Sequence, residues 1–319
     1  NITDNRIHTT GWHAYGFYLF GNSTVNNISN NMISAEGDLA YSFYIQTSQN
    51  NIFQANNITT SEGQAFYFQI PDSGAYATTD YALYTNQTID TSNLAEGLPV
   101  NFSRNCSGLD ISNVNYTQYG QVIFANCSNV NISHSAFSND DLTIFISSNM
   151  KIHDNNFTSN NSDGIMIRNT HYTNITNNSI NISSTAGTGI GIVLYAGSTN
   201  DEVSNNTIYT NTKEYGYGIH TSAANNVTLV NNAVITEGYE SPAIFIEADI
   251  NTVFRGGNYT ALNDSAASNA VHIKSNGNAT FYDVILNSAN SKDVYRQKSK
   301  QSFPFVFAIL VYVKLKFNH

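Results

Sequence analysis

The sequence is poor in charge, in proline and in long apolar runs. Charged residues make up 11% of the 319 residues, well below the quarter that is usual in globular proteins. Four prolines are too few for a proline-rich disordered chain, and hydrophobic residues at 41% provide enough material for a long core. A membrane-spanning helix needs about 20 apolar residues, whereas the run at 303–313 is shorter and contains a proline. We therefore predict an ordered chain with no membrane span.

The charge is unevenly distributed along the chain. Residues 1–291 carry 7 Lys and Arg against 22 Asp and Glu, whereas the last 28 residues add six cations and one acid. Nucleic acids and anionic membranes need a basic protein surface. The acidic body therefore argues against nucleic acid as a partner, and it suits cation binding or solubility better.

Asparagine is abundant, with 48 copies, and it marks a repeated phrase. The clearest copies lie at 129–137, 150–157 and 173–180, and in each an apolar residue is followed five positions later by another. The first apolar residues, Ile132, Ile152 and Ile175, are 20 and 23 residues apart. A short repeat of β-branched runs and Asn-rich corners is typical of a solenoid.

Short alternating runs separate the copies of the phrase and predict strands, and no window predicts an amphipathic helix. Asn and Gly tolerate the left-handed backbone of tight corners, and stacked asparagines can hydrogen-bond their copies above and below. Connections between parallel strands are right-handed as a rule. We predict an all-β, right-handed, single-stranded parallel β-helix (a β-solenoid) of about ten coils.

Four regions are predicted along the chain. Residues 1–70 form N-terminal coils, 71–100 an irregular loop or enlarged coil, and 101–291 the main coils. Residues 292–319 are a C-terminal cap, a truncated anchor or a sequence artefact, and the sequence does not decide between them. Residue 1 already lies in repeat-like sequence, so we interpret the chain as a fragment or a mature product.

Cys106 and Cys127 lie 21 residues apart in matching contexts and should stack on adjacent coils. Neighbouring strands are close enough for a disulfide, but their Cβ vectors run side by side. This geometry favours two stacked thiols, with a disulfide as the alternative. About twenty Asn-x-Ser/Thr sequons also occur, which is weak support for a secreted glycoprotein.

The segments 89–100 and 120–132 resemble the NosD-like right-handed β-helix proteins, which share the carbohydrate-binding and sugar-hydrolysis (CASH) repeat and are found on archaeal cell surfaces. The resemblance implies an extracellular or cell-surface location and a link to polysaccharides or cell-envelope glycans. It also implies copper delivery to nitrous oxide reductase in some members. Copper is poorly supported by the residues, because Met32, Met150 and Met166 are scattered and the histidines are mostly far apart. We predict no metal cofactor, with Ca²⁺ as the ion that acidic pairs would suit.

One polar cluster is a candidate catalytic site. Aligned coils place acids, histidine and arginine near one another, in the manner of acid/base pairs and uronate-neutralising cations in polysaccharide-cleaving β-helices; the candidates are Asp140, Asp141, Asp163, His134, Asp154 and Arg168. The structural alternative is that Asp before Gly, as in Asp163-Gly164, is ordinary turn chemistry. The His-Gly and Arg-x-Lys pattern of the hydrolases is absent from the repeats.

Tyrosines of the N-terminal coils are candidate carbohydrate-binding residues, since exposed aromatic patches commonly mark interaction sites; they are Tyr15, Tyr18, Tyr41, Tyr44 and Tyr67. The alternative is that they fill the coil interior, because aromatic residues favour strands. Taken together, the sequence favours a structural or adhesive β-helix protein that binds polysaccharide. The alternative function is a polysaccharide lyase or glycoside hydrolase acting on a uronate-containing or surface glycan.

Overall fold

A computed structural model describes residues 1–21, 23–38, 40–70, 82–138, 141–160, 162–185, 187–195, 197–249, 251–274, 279–289 and 293–297. Within these residues the chain forms many short strands, one α-helix of a single turn and one 3₁₀ turn at Tyr116–Gln118. The α-helix, α1, comprises Ala82–Thr85.

The strands fall into two consecutive blocks. The first block contains β1 (Ile2–Thr3), β2 (Arg6–Thr10), β3 (Tyr15–Leu19), β4 (Asn27–Ser29), β5 (Met32–Asp38), β6 (Tyr41–Ile45), β7 (Ile52–Gln54), β8 (Asn57–Glu62), β9 (Phe66–Phe68), β10 (Thr88–Ile89) and β11 (Leu94–Ala95). The second block contains β12 (Leu98–Arg104), β13 (Asp110–Ser112), β14 (Gln121–Ala125), β15 (Asn131–Ser133), β16 (Ala136–Ser138), β17 (Leu142–Phe145), β18 (Lys151–His153), β19 (Asn156–Ser159), β20 (Ile165–Arg168), β21 (Asn174–Thr176), β22 (Ser179–Ser184), β23 (Ile192–Tyr195), β24 (Glu202–Ser204), β25 (Thr207–Thr212), β26 (Ile219–Ser222), β27 (Thr228–Val230), β28 (Ala233–Thr236), β29 (Ile244–Glu247), β30 (Thr252–Arg255), β31 (Asn258–Ala261), β32 (Val271–Lys274), β33 (Ala279–Tyr282), β34 (Ile285–Ser288) and β35 (Val294–Gln297).

Each turn of the chain adds one strand to each of three sheets. In the second block these are the long sheet (β12, β14, β17 and every third strand to β35), an eight-stranded sheet beginning at β13 and a seven-stranded sheet beginning at β16. Within each sheet, successive strands of this block pair in parallel. The predicted all-β parallel solenoid is confirmed, with about 11 turns against the predicted ten.

The repeated phrase sets the register of the stack. Ile132 pairs with Ile152 and then Ile175, while Phe137 pairs with Phe157 and then Ile180. All six side chains are buried in one continuous core, and the rings of Phe137 and Phe157 stack at 4.5 Å. Each copy of the phrase therefore places its two apolar residues over the equivalent apolar residues of the next copy, as the sequence predicts.

The two residues of the Asn-Asn pair have different structural roles. The first residue takes the left-handed backbone of the corner, with φ of 56° at Asn177 and 54° at Asn205. The second is buried and joins an asparagine ladder formed by Asn155, Asn178, Asn206 and Asn232. In this ladder each side-chain amide donates to the next side-chain oxygen at 3.0–3.1 Å, and each oxygen also accepts a backbone N–H from the coil before.

The first block has its own ladder, in which Asn31, Asn56 and Asn93 repeat the same contacts. The two blocks meet where β11 pairs with β12 in the antiparallel direction. Residues 71–81 of the predicted irregular segment lie outside the described residues, whereas α1, β10 and β11 fall within 82–100. Of the predicted tail, the structure describes 293–297, where β35 pairs with β32.

The preference for two free thiols is wrong. Cys106 and Cys127 form a disulfide, with their Cα atoms 4.5 Å apart. The argument from parallel Cβ vectors applies to regular strands, but each cysteine follows a corner residue with a left-handed backbone, Asn105 or Asn126. At such a corner the chain turns, so the two side chains can converge within the range that a disulfide allows.

Replacing a buried ladder residue should destabilise the fold more than replacing an exposed asparagine of the neighbouring coil. We expect Asn206→Ala to lower the free energy of unfolding by about 2 kcal/mol, because it leaves buried backbone and amide groups without partners. Asn181→Ala, at an exposed strand position, is the matched control and should change it little. Urea denaturation followed by circular dichroism measures both, and equal losses would show that the ladder contributes nothing special.

Candidate functional site

All five tyrosines singled out from the sequence come together on one small sheet. This tyrosine sheet consists of β3, β6 and β9, and the tyrosine cluster is the set Tyr15, Tyr18, Tyr41, Tyr44 and Tyr67. Ring centroids lie 4.1 Å apart for Tyr41 and Tyr67, and 4.4 Å apart for Tyr15 and Tyr44. The ring of Tyr18 lies 5.2 Å from that of Tyr44. Three coils thus supply one continuous aromatic surface.

Exposure changes across this cluster. Tyr18 is 52% exposed, Tyr15 and Tyr44 are half-buried, and Tyr41 and Tyr67 are buried. Burial raises the pKa of Tyr15 and Tyr44, and it raises that of Tyr41 well above its ordinary value. The expectation of five outward-facing tyrosines is therefore wrong for Tyr41 and Tyr67, which pack against other parts of the protein.

Strand β9 packs on the outer side of the long sheet of the second block. The Phe66 N–H donates to Gln121 Oε1 at 3.0 Å, and Gln121 Nε2 donates back to the Phe66 carbonyl at 3.1 Å. The ring of Phe68 stacks on that of Phe145 at 4.5 Å. This contact covers the outward positions of β14 and β17, and it explains why Ile123 and Ala125 are buried there.

Arg168 links the tyrosine cluster to the second block. Its Nη2 donates to the Tyr67 hydroxyl at 2.5 Å, and its guanidinium carbon lies 4.5 Å from the centroid of that ring. The ring centroid of Tyr195 lies 5.1 Å from the same carbon. Only 6% of Arg168 is exposed. A cation packed near two aromatic rings in this way gains cation–π stabilisation that grows with desolvation.

Tyr195 is a site residue that the sequence reasoning missed. It occupies the register position of Arg168 one coil later, and its hydroxyl lies 2.8 Å from Nδ1 of His220. Burial lowers the pKa of His220 to about 3, so this imidazole is neutral at physiological pH. The sequence did contain a signal for this residue. Positions 168 and 195 are equivalent on successive strands, so Tyr195 is expected to lie beside Arg168.

Asp141 and Asp163 lie at the same junction between the blocks. Asp141 is buried and accepts hydrogen bonds from Thr143 Oγ1 at 2.9 Å and from Gln64 Nε2 of the first block. Burial and the charge of Asp163 raise the pKa of Asp141 to about 7, and burial raises that of Asp163 to about 6. Asp163 Oδ1 also accepts the Ile190 N–H at 2.8 Å, as the turn interpretation expects. Asp140 lies outside the described residues.

His134 and Asp154 are not part of this junction. They occupy the corner that follows β15 and β18, where both have left-handed backbones, and Asp154 pairs with His153 at 2.7 Å. The predicted catalytic constellation therefore divides into two places. The expectation that it forms one cluster is wrong, because consecutive residues of a coil pass through different sheets.

The junction combines aromatic walls, one cation and two carboxyls that titrate near neutral pH. Gln64 Oε1 and Arg168 Nε are buried and have no hydrogen-bond partner among the described residues. Buried polar groups without partners cost free energy, and a ligand hydroxyl or carboxylate could satisfy them. The arrangement is suited to holding a polar ligand against aromatic rings, as carbohydrate sites do.

The described residues contain no group of three or more His, Cys, Asp and Glu side chains placed to hold a metal ion. Both cysteines are consumed by the disulfide, so neither can supply a thiolate. Met150 is buried in the core of the helix, and Met166 contacts Gln64 at 3.6 Å through its sulfur. This donor set does not fit copper, which needs clustered soft or imidazole ligands.

Fold and site together define a parallel β-helix protein with an aromatic cluster where two stacks of coils meet. Residues 61–239 match the family described as "Periplasmic copper-binding protein (NosD)". The match covers more than half of the chain, and the protein belongs to this family. The predicted resemblance is confirmed. No curated protein matches the chain.

Two solved structures are similar to this chain at low sequence identity. The Dettilon tailspike protein (gp208) has a TM-score of 0.50 and 12% identity, over 92% of this chain and 60% of its own. The periplasmic alginate epimerase AlgG has a TM-score of 0.40 and 16% identity, over 85% of this chain and 68% of its own. At 12% identity the similarity to the tailspike protein concerns the fold alone. Among the described residues, no helix has the length and apolar character that crossing a membrane requires.

The buried carboxyl groups should make the protein more stable in mild acid than at neutral pH. Burial raises the pKa of Asp201 to about 7 and that of Asp249 to about 6, and Asp141 and Asp163 behave likewise. Their ordinary value is 3.8, so between pH 4 and 7 the folded chain binds more protons than the unfolded chain. The free energy of unfolding then falls as the pH rises through this range.

We expect a higher Tm at pH 5 than at pH 8, measured by calorimetry at fixed ionic strength. Asp201→Asn should reduce this difference, because it removes one buried ionisable group. Asp264→Asn, which changes an exposed carboxylate, should leave the difference unchanged. A Tm that rises from pH 5 to pH 8 contradicts the assignment.

Proposed function

We propose that this protein is a structural or adhesive component of the cell envelope that binds a polysaccharide along the tyrosine cluster. The observation that carries the proposal is the convergence of five tyrosines from three coils on one surface, open to solvent at Tyr18 and closed at Tyr67 by Arg168. The family description implies an envelope location. Within the envelope, we propose that the protein is extracellular or at the cell surface.

The open side of the cluster has further aromatic residues. Trp12 is 72% exposed and its ring lies 4.1 Å from that of His13, and Phe20 lies 5.6 Å from Tyr18. Aromatic rings offer apolar faces for the C–H surfaces of sugars, while tyrosine hydroxyls supply hydrogen bonds at the ring edge. Exposed patches of this kind on a soluble protein commonly mark interaction sites.

The scaffold suits a long, repetitive ligand. Neighbouring strands lie about 4.8 Å apart, so equivalent residues of successive coils recur at short, regular intervals along the helix. Tyr18, Tyr44 and Tyr67 occupy one such register position on three adjacent strands. A linear glycan running along this row would meet the rings of Tyr18 and Tyr44 on successive coils and end at the buried Tyr67, which favours a polymer over a single sugar.

Catalysis is the second candidate, favoured by the two carboxyls beside Arg168. A polysaccharide lyase or glycoside hydrolase needs a group that exchanges protons near neutral pH, and the raised pKa values of Asp141 and Asp163 meet that need. Two observations argue against catalysis. Asp141 is buried and accepts a hydrogen bond from Gln64, and Asp163 has a structural role because it accepts the backbone N–H of Ile190 at a corner. Binding without turnover is therefore the function that we prefer.

Loss of an outer tyrosine should weaken glycan binding. We expect Tyr18→Ala and Tyr44→Ala each to lower affinity about fivefold, since a ring contact contributes on the order of 1 kcal/mol. Tyr172→Ala is the matched control, because Tyr172 is 59% exposed but lies at a corner after β20, away from the cluster. A glycan array containing neutral and uronate polymers identifies the ligand, and calorimetry then measures the variants.

Turnover is measured on the same ligands, by release of reducing ends and of unsaturated uronates. We expect neither product from the unmodified protein. If product appears and Asp163→Asn abolishes it while affinity is retained, the catalytic alternative replaces the binding proposal. If Tyr18→Ala and Tyr172→Ala bind equally well, the cluster is not the binding site.

A further inference from the structure

A separate depression lies on the outer face of the eight-stranded sheet. Its volume is about 220 Å³, and Lys151, His153, Asn174, Thr176 and Asn177 line it. The lining residues come from β18, β21 and the corner after β21, and the register places Lys151 beside Asn174 and His153 beside Thr176. The tyrosine cluster and the junction at Arg168 contribute no residue to this depression.

His153 is held by an acceptor at each ring nitrogen. Nδ1 lies 2.7 Å from Asp154 Oδ2, and Nε2 lies 2.8 Å from Asn131 Oδ1. Asn131 is oriented by its own amide, which donates to Asp110 Oδ1 at 2.8 Å, so its oxygen must face the imidazole. The hydrogen bond from His153 is the main cause that lowers the pKa of Asp154, and the Asn177 side chain donates a further hydrogen bond to the same carboxylate.

Lys151 takes no part in these contacts. Among the described residues, Lys213 and Lys274 form ion pairs with Glu214 and Glu247, whereas Lys151 has no acidic partner within 4 Å. Asn174, Thr176 and Asn177 line the depression with it; the Asn177 side chain is hydrogen-bonded to Asp154, and the Thr176 hydroxyl lies 3.1 Å from Ser204 Oγ. Along the ladder, acids lie two strands away on both sides of Lys151: Asp110 beyond Asn131, and Glu202 beyond Asn174.

We propose that this depression binds the carboxylate of a small ligand, with Lys151 as the cationic contact and Asn174 and Thr176 as hydrogen-bond donors. In a body with 7 cations against 22 acids, a lysine that forms no ion pair gives this depression a local positive charge. The volume is below that of sites for drug-sized ligands and matches one sugar unit or a small acid. An acidic sugar and a free carboxylic acid share this chemistry.

The test uses the full chain and three probes: sodium glucuronate, sodium acetate and glucose. We expect glucuronate to bind and to shift the NMR signals of Lys151, Asn174 and Thr176, and we expect glucose to leave them unchanged. Lys151→Met should weaken glucuronate binding about tenfold, because a hydrogen bond to a charged group is lost. Lys213→Met removes an exposed lysine elsewhere and serves as the charge-matched control.

The comparison of acetate with glucuronate shows which kind of carboxylate the site recognises. If acetate binds as tightly as glucuronate, the site recognises a free carboxylate; if glucuronate binds more tightly, it recognises an acidic sugar. Equal binding of glucose and glucuronate, or equal affinity in Lys151→Met and Lys213→Met, would overturn the proposal. The site is independent of the tyrosine cluster, so Tyr18→Ala should leave glucuronate binding unchanged whatever its effect on the polymer.

Discussion

The buried asparagine ladder at one corner of successive coils is the interaction on which the rest of the structure depends. A coil must turn between sheets, and at that turn its backbone N–H groups have no strand partner. The side chain of Asn178 accepts the Asn155 backbone N–H and donates to the Ile152 carbonyl, so that the corner is satisfied by the next coil. Because unsatisfied buried backbone groups are costly, this side chain stabilises the stacking of neighbouring coils. Repetition of the sequence phrase follows from repetition of this requirement.

The scaffold leaves function to the positions that differ between coils. The same outward position of the long sheet holds Phe145, Arg168 and Tyr195 on successive strands. Packing of β9 over this face brings Tyr67 onto Arg168, two residues that are 101 positions apart. The junction between blocks, rather than a motif within one coil, therefore creates the aromatic site.

Sequence reasoning succeeded where contacts are periodic and failed where they are not. The register of Ile132 over Ile152 and the asparagine ladder were predictable, because each coil is the template of the next. The contact of Gln64 with Asp141 was not, since it depends on how one stack of coils folds back on another. The disulfide was missed because corner geometry replaces strand geometry at Cys106. Glycosylation of the sequons and an archaeal source stay predictions.

Membership of the NosD family gives the fold, while the described side chains lack a donor set for copper and concentrate their aromatic groups at the tyrosine cluster. The most direct test of this account is hydroxyl-radical footprinting of the protein with a bound glycan. Oxidation of Trp12, Tyr18 and Tyr44 should fall on binding, while that of Tyr172 and Tyr239, which are exposed elsewhere, should not change. Protection of Tyr172 or Tyr239 with no change at Tyr18 and Tyr44 would contradict the account.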